Sequence, residues 1–305
     1  MASPFPYLVL DGKIVPFEDA KLHISTPAVK YGATAFEGIR AYWNEAQQQL
    51  FVFRCREHMV RLLQSGRLMG MERVDYTADD LVRILLELLR ANHIRQDVHI
   101  RPSLFVVGDG PSQARGPVSF GIVIVPMKRW SEKAFRVAIS SWRRIEDNSM
   151  PPRVKCAANY ENGRLALIQA EEDGYDGVLM LDAQGHVTEE PRGCVFIVRD
   201  GIPSTPRLTN DILESVTRDT LIRLFQEVHG LPTQEREIDR TELYVADEVF
   251  LCGTGLEITP VVKVDRFIIG NGNAGPLTMA IRDTYMATVR GENTLHPEWR
   301  LPVYI

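Results

Sequence analysis

The sequence predicts an α+β fold in two domains. Strand-like runs follow one another across two-residue turns, which is the wiring of antiparallel or mixed sheets and not of a doubly wound parallel sheet. A length of 305 residues with 45% apolar content supports a large buried core and points to two domains. A polar stretch, "PMKRWSEK" at 126–133, interrupts two β-rich regions and reads as the linker. The expected division is therefore a small α+β domain at 1–125, the linker at 126–133, and a larger domain at 134–305.

The elements follow in order. "YLVLDGKIVPF" is two short apolar runs around Asp-Gly, a strong hairpin signal. Helices are expected at about 55–69 and 78–92; Thr77 caps the second with Asp80 three residues on, and Leu81, Leu85 and Leu88 share one face. "DVHIRPSLFVVGD" and "VSFGIVIVP" read as strands. Beyond the linker come "FRVAISSW", a helix at about 158–173, the hairpin "GVLMLDAQGHVTEE" and the strand-turn "CVFIVRDG". A helix at about 215–229, the strand "EVFLCG" and a helix near 275–290 complete the chain.

Composition narrows the function. With 35 basic and 40 acidic residues the formal charge is −5, and no block of like charge offers a grip on nucleic acid or anionic lipid. The four cysteines are scattered, without a C-x-x-C pair or a Cys/His spacing suited to zinc, so they read as reduced thiols and no metal is expected. "MASPFPYLVLDG" lacks the charged and apolar regions of a signal peptide, and no apolar run approaches the roughly 20 residues of a membrane span, so the cytoplasm is the expected compartment.

One lysine stands out. Lys155 sits in "RVKCAANY" between Val154, Cys156, Ala157 and Ala158. Apolar surroundings favour the neutral amine, the form that Schiff-base chemistry requires, though a strand-end lysine snorkelling to water fits this segment equally well. Four more stretches supply what pyridoxal phosphate needs: a hold for its phosphate and a carboxylate for its ring nitrogen. In "ILESVTRDTLIRLF" a helix opens at Ser215–Thr217, where backbone N–H groups and a hydroxyl suit a phosphate or simply cap the helix. "FLCGTGLEITP" ends a strand in a Gly-Thr-Gly turn whose amides suit an anion. "FRCREHMVRLLQSGRL" carries Arg54, Arg56, Arg61 and Arg67, most expected in solvent and one able to reach phosphate. "GHVTEEPRGCVF" places Glu189 and Glu190 between a hairpin and an apolar strand, as a ring-nitrogen partner or a solvated acidic turn.

Taken together, "KYGATAFEGIRAY", "FRCREHMVRL", "IRPSLFVVGD", "VKCAANYENGRLA", "ILESVTRD" and "ADEVFLCGTGLEITPV" resemble the fold-type IV pyridoxal-phosphate enzymes. Among these the chain looks most like the branched-chain aminotransferases, from about Tyr7 to about Arg290. The resemblance implies a small α+β N-terminal domain and a larger β-barrel-like cofactor domain. It makes Lys155 the Schiff-base lysine that also moves the proton between Cα and the cofactor, with Tyr160 on the phenolic oxygen and Glu189 on the ring nitrogen. It assigns the phosphate to Arg61, Val216, Thr217 and Thr254, and packs Leu213 on the ring face. Tyr31, Phe36, Gly38, Arg40, Arg101 and Trp130 would line the substrate pocket, Arg101 meeting the side-chain carboxylate of glutamate, and the amides of Thr254 and Gly255 would receive the α-carboxylate. Relatives complete the pocket from a second subunit, so at least a homodimer is expected.

Three positions depart from the family pattern. His99-Ile100-Arg101 stands where Tyr-x-Arg is usual, leaving His99 able to donate to a carboxylate in an altered pocket. Glu189-Glu190-Pro191-Arg192-Gly193-Cys194 replaces Glu-Gly-x-Gly-x-Asn, which would put Arg192 near the cofactor with its role open among substrate contact, phosphate side and solvent. Ser215 replaces a usual glycine. The implied activity is a ping-pong transamination from a branched-chain L-amino acid to 2-oxoglutarate, with small amino and 2-oxo acids as partners. A D-amino-acid or (R)-amine transaminase on the same scaffold is the alternative, followed by a lyase releasing pyruvate and by a non-catalytic phosphate-ligand binder.

Overall fold

The computed structural model describes residues 5–127 and 133–304. They divide into two compact units. The first takes the described residues of Met1–Arg129 with Val154–Ala158 and Ala287–Ile305, and the second those of Trp130–Arg153 with Asn159–Met286.

The first unit opens with the expected hairpin, β1 (Tyr7–Leu10) and β2 (Lys13–Pro16). Asp11 and Gly12 both take positive φ, 50° and 70°, as a turn matched to strand twist requires. A single helical turn, α1 (Pro27–Lys30), leads to β3 (Thr34–Phe36), β4 (Ile39–Asn44) and β5 (Gln49–Phe53). Next come α2 (Cys55–Leu68) and α3 (Ala78–Ala91). Thr77 and Asp80 of α3 form a full capping box. The strands β6 (Val98–Val106) and β7 (Val118–Pro126) follow.

Strand Arg300–Pro302 lies first in the resulting eight-stranded sheet, ahead of β5, β4, β6, β7, β1 and β2, and β3 pairs with β6. Its pairing with β5 gathers the C-terminal residues to this unit. Alternation along β6 sorts the two faces. Val98, Ile100 and Leu104 join the core beside Met59 and Leu62 of α2 and Leu81, Leu85 and Leu88 of α3, while His99 and Arg101 point the other way.

The second unit holds β8 (Phe135–Ile139), α4 (Ala157–Glu172, from its third residue on), β9 (Gly177–Leu179), β10 (Glu189–Glu190), β11 (Gly193–Arg199) and β12 (Ile202–Pro206). It continues with α5 (Val216–Val228), β13 (Gln234–Arg236), β14 (Glu248–Gly253), β15 (Glu257–Val264) and β16 (Phe267–Ile268), and α6 (Pro276–Arg290) runs to its boundary. The sheet order is β13-β12-β11-β14-β15-β8-β9, with β10 on β11 and β16 on β15. Pairing is antiparallel through β12-β11-β14-β15 and parallel at β12/β13, β15/β8 and β8/β9, so this is the mixed sheet expected. β11 and β14 bury apolar residues on both faces. Val195, Ile197, Val249 and Leu251 enter one core, while Phe196 stacks on Phe250 at 5.1 Å with Phe225 of α5 beside them.

The hairpin expected at 177–190 is shorter than its sequence suggests. Its first residues form β9 in parallel with β8, and the arms then pair through Met180 with Thr188 and Glu189, the Leu181–Val187 bridge and the Asp182–His186 rung. The strands at 34–53 and 257–268 carry no expectation above, because turns and isolated polar residues break their alternation. The linker expectation at 126–133 falls mostly outside the described residues. Among the described residues no helix is long and apolar enough to cross a membrane.

Candidate active site

Lys155 lies between two buried neighbours, Val154 and Cys156, just before α4. Its backbone is fixed on both sides: the Phe36 N–H donates to its carbonyl at 3.0 Å, and its own N–H donates to Ser65 Oγ at 3.1 Å. An Ala35–Cys156 bridge extends this seam. Its Nζ stands 5.0 Å from the centre of the Phe36 ring, and the Arg101 guanidinium stands 3.8 Å from the same ring. One aromatic residue thus touches both the candidate nucleophile and the candidate carboxylate reader.

Strand register assembles the rest of this cluster. Arg40 pairs with His99 across β4/β6, and Phe36 with Ser103 across β3/β6, so Phe36, Arg40, His99 and Arg101 share the sheet face opposite the helices. A Cβ on Gly38 would come within 3.1 Å of the His99 ring, so a side chain there would press on that ring. Burial, then Arg40, Arg101, Lys155 and His58, pull the His99 imidazole down to about 4, so it is neutral at neutral pH. Tyr31 lies at the end of α1, half exposed, with the Lys30 ammonium over its ring. Trp130 lies outside the described residues.

Arg61 is held from behind. Its Nε and Nη2 donate to the two carboxylate oxygens of Glu37 at 2.6 and 2.8 Å, and His58 Nδ1 lies 2.8 Å from Glu37 Oε2. Glu37 is completely buried. Burial alone would raise its pKa, but the Arg61 charge and the Arg61 and His58 hydrogen bonds hold the carboxyl well below the usual carboxylate range. Burial, opposed by Glu37 and reinforced by Arg61 and Lys155, keeps His58 below its ordinary value. Nδ1 donates to Glu37, because a carboxylate only accepts. The arginines in and just before α2 sort by exposure: Arg56 and Arg67 face solvent, Arg61 is partly buried, and Arg54 is buried, paired to Glu57 at 2.8 Å and over the Trp299 ring.

The second unit carries the carboxylate. Glu189 is buried, with Oε1 2.6 Å from Nη2 of the equally buried Arg144 and Oε2 accepting the Leu213 N–H at 3.2 Å. The Cys194 thiol lies 4.0 Å from Oε2. Neighbouring Glu190 turns elsewhere: its Oε1 accepts from Arg192 Nε at 2.8 Å and Oε2 from the Arg192 N–H at 2.6 Å. Burial pushes the Glu190 carboxyl up, against the pull of Arg192. The guanidinium whose role the sequence leaves open is thus engaged by the adjacent carboxylate. Gly193 is needed for this turn, because a side chain there would strike the Cys252 carbonyl.

Ser215 caps α5, its hydroxyl accepting the Arg218 N–H at 3.2 Å, which places Val216 and Thr217 in the first helical turn. Thr254 and Gly255 form the turn between β14 and β15, and a Cβ on Gly255 would meet nothing within 4 Å. Tyr160 stands in the first turn of α4, five residues after Lys155. Each unit by itself carries groups of the kind pyridoxal phosphate uses: the first an amine and a guanidinium, the second a buried carboxylate paired with an arginine, a capped helix N-terminus and a Thr-Gly turn.

A family model described as "Amino-transferase class IV" matches residues 34–264. The chain belongs to the class IV aminotransferases. A probable branched-chain-amino-acid aminotransferase of Aquifex aeolicus is 41% identical over 98% of this chain and 97% of that protein. The crystal structure of a branched-chain amino acid aminotransferase from Thermobaculum terrenum in its PLP (holo) form superposes with a TM-score of 0.94 at 39% identity, covering 100% of both chains. The branched-chain aminotransferase of the thermophilic archaeon Thermoproteus uzoniensis, crystallised with norvaline, matches with a TM-score of 0.93 at 38% identity over 98% of this chain and 100% of that one. As a class IV aminotransferase the chain uses pyridoxal phosphate.

Glu37, His58, Ser65 and Arg144 have no place in the sequence reading. Signals for the first three exist: Glu37 is a lone acid inside "TAFEGI", and His58, Arg61 and Ser65 recur at helical spacing on one face of α2. Arg144 meets Glu189 only through the fold.

Proposed function

We propose that this enzyme transfers the amino group of a branched-chain L-amino acid to 2-oxoglutarate in a ping-pong cycle. The observation that carries the reading is the sheet face on which the Arg40 and Arg101 cations and the neutral His99 imidazole gather around Phe36 and Lys155, a surface suited to carboxylates. Pyridoxal phosphate, when bound, supplies an electron sink for the substrate Cα. Lys155 would hold the cofactor through its amine and would move the proton at the substrate Cα. Glu189, paired with Arg144, would face the ring nitrogen, and Tyr160 would hold the phenolic oxygen. Arg61, Val216, Thr217 and Thr254 take the phosphate, and Leu213 packs against the ring.

The amides of Thr254 and Gly255 orient the α-carboxylate. Phe36 would give the apolar side chain a dry surface, with Tyr31 and Gly38 completing the lining; Trp130, which the resemblance assigns to the same pocket, lies outside the described residues. Arg101, assisted by Arg40 and His99, holds the distal carboxylate of glutamate or 2-oxoglutarate, so one pocket takes an apolar donor and an acidic acceptor in turn. Arg192 sits outside this set, engaged with Glu190. The half-exposed Tyr31 suits a pocket completed by a second copy, so the working form is a homodimer or larger assembly. The absence of a membrane-crossing helix among the described residues agrees with a cytoplasmic enzyme acting on small amino and 2-oxo acids.

Steady-state kinetics with L-leucine and 2-oxoglutarate test the proposal. Parallel double-reciprocal lines are expected, with Arg101→Ala raising KM for 2-oxoglutarate far more than KM for L-leucine. Turnover confined to D-alanine or an (R)-amine, or pyruvate release without an acceptor, would replace this reading with the corresponding alternative.

A further inference from the structure

We propose that Glu37 is a positioning residue: its buried carboxylate aims the Arg61 guanidinium that grips the cofactor phosphate, and does so from the backbone segment that also holds Lys155. The inference rests on the reading of Arg61 as the phosphate arginine. Glu37 follows Phe36, whose N–H is bonded to the Lys155 carbonyl, and its own N–H donates to Pro102 at 2.8 Å. Residues 35–37 therefore lie fixed between β6 and the segment at Lys155 and Cys156. From this anchor the Glu37 carboxylate receives four donors: Arg61 Nε and Nη2, His58 Nδ1, and the Gly38 N–H at 3.3 Å. Ser65, one turn beyond Arg61 on α2, closes the circuit by accepting the Lys155 N–H.

A bound cofactor spans a fixed length from its phosphate to the carbon that Lys155 attacks. A long arginine side chain samples many rotamers, and ordering it at the moment of binding weakens the complex. With one edge of the guanidinium engaged by Glu37, that ordering is complete before the cofactor arrives. The same frame fixes the separation between the phosphate grip and the lysine.

The test compares pyridoxal phosphate with pyridoxal, which lacks only the phosphate. Stripped holoenzyme is titrated with each by equilibrium dialysis, following the absorbance of the lysine-linked cofactor. Glu37→Gln keeps the backbone frame but loses the carboxylate charge. It is expected to weaken pyridoxal phosphate binding by about tenfold, the scale of one charge-assisted hydrogen bond, while leaving pyridoxal affinity nearly unchanged. Equal loss for both ligands, or loss for neither, overturns the proposal. If Glu37→Gln fails to fold, Glu37→Asp retracts the carboxylate by one methylene and is held to the same selective loss. Arg61→Ala separates the two levels: with no phosphate-selective loss there, the reading of Arg61 falls and this inference with it. If Arg61→Ala is selective and Glu37→Gln is not, only the role of Glu37 falls.

Discussion

His99 illustrates how a single side chain ties the cationic face to stability. Its imidazole titrates at about 4 in the folded protein and near 6.5 when unfolded. Between these values the unfolded chain takes up a proton that the folded chain refuses, so stability falls as pH drops from about 6.5 to about 4, by up to about 3 kcal/mol. His99→Gln should flatten that slope, and urea midpoints of variant and parent at pH 7 and pH 4.5 measure it. Parallel slopes would show that His99 does not titrate as described. Arg144 is the second residue with a clear consequence. Arg144→Met strands the Glu189 carboxylate in a buried site without its cation, a loss of about 3–5 kcal/mol in denaturant unfolding, and adding Glu189→Gln should recover part of it. Lys155 and Glu189 are legible in sequence because they stand in short distinctive strings. Arg144 is not, because its meaning depends on a carboxylate brought to it by the fold.

Elements whose causes are local are the ones the sequence discloses. The Asp-Gly hairpin, the Thr77 capping box and the Ser215 cap each need only a few neighbouring residues, and each appears at its expected place. Thr77→Ala is expected to cost about 1 kcal/mol in unfolding free energy by removing one side of that box. Elements whose causes are distant stay hidden: β4 and β5 are bounded by Glu37, Gly38 and "NEAQQQ", and strand 300–302 exists only because β5 offers an edge. The atypical segment at 189–194 is also explained at this scale. Pro191 packs against Gly163 of α4, where a Cβ would lie 2.6 Å from the proline Cβ. Gly163→Ala should therefore destabilise by about 1–3 kcal/mol, with rescue in the Gly163→Ala/Pro191→Ala double variant; equal stability of Gly163→Ala and the parent would contradict that packing.

At the scale of the whole molecule, length and turn spacing point to two α+β units, and the motif blocks carry the resemblance to class IV aminotransferases. Their exact membership comes from tertiary pairing, which returns 154–158 and 287–305 to the first unit. That return puts Lys155 on the sheet of Phe36 and Arg101 while Tyr160, on the same helix-bound segment, belongs to the second unit. The central claim is that Lys155 is the amine of a transaminase reading L-branched-chain donors. A half-reaction scan tests it most directly: the absorbance of the lysine-linked cofactor is followed as L-leucine, L-isoleucine, L-valine, D-alanine and an (R)-amine are added singly to the parent and to Lys155→Ala. The parent band should decay with the three L-amino acids alone and be missing from Lys155→Ala, whereas a Lys155→Ala protein that kept both band and turnover, or a parent answering only to D-alanine or the (R)-amine, would contradict the account.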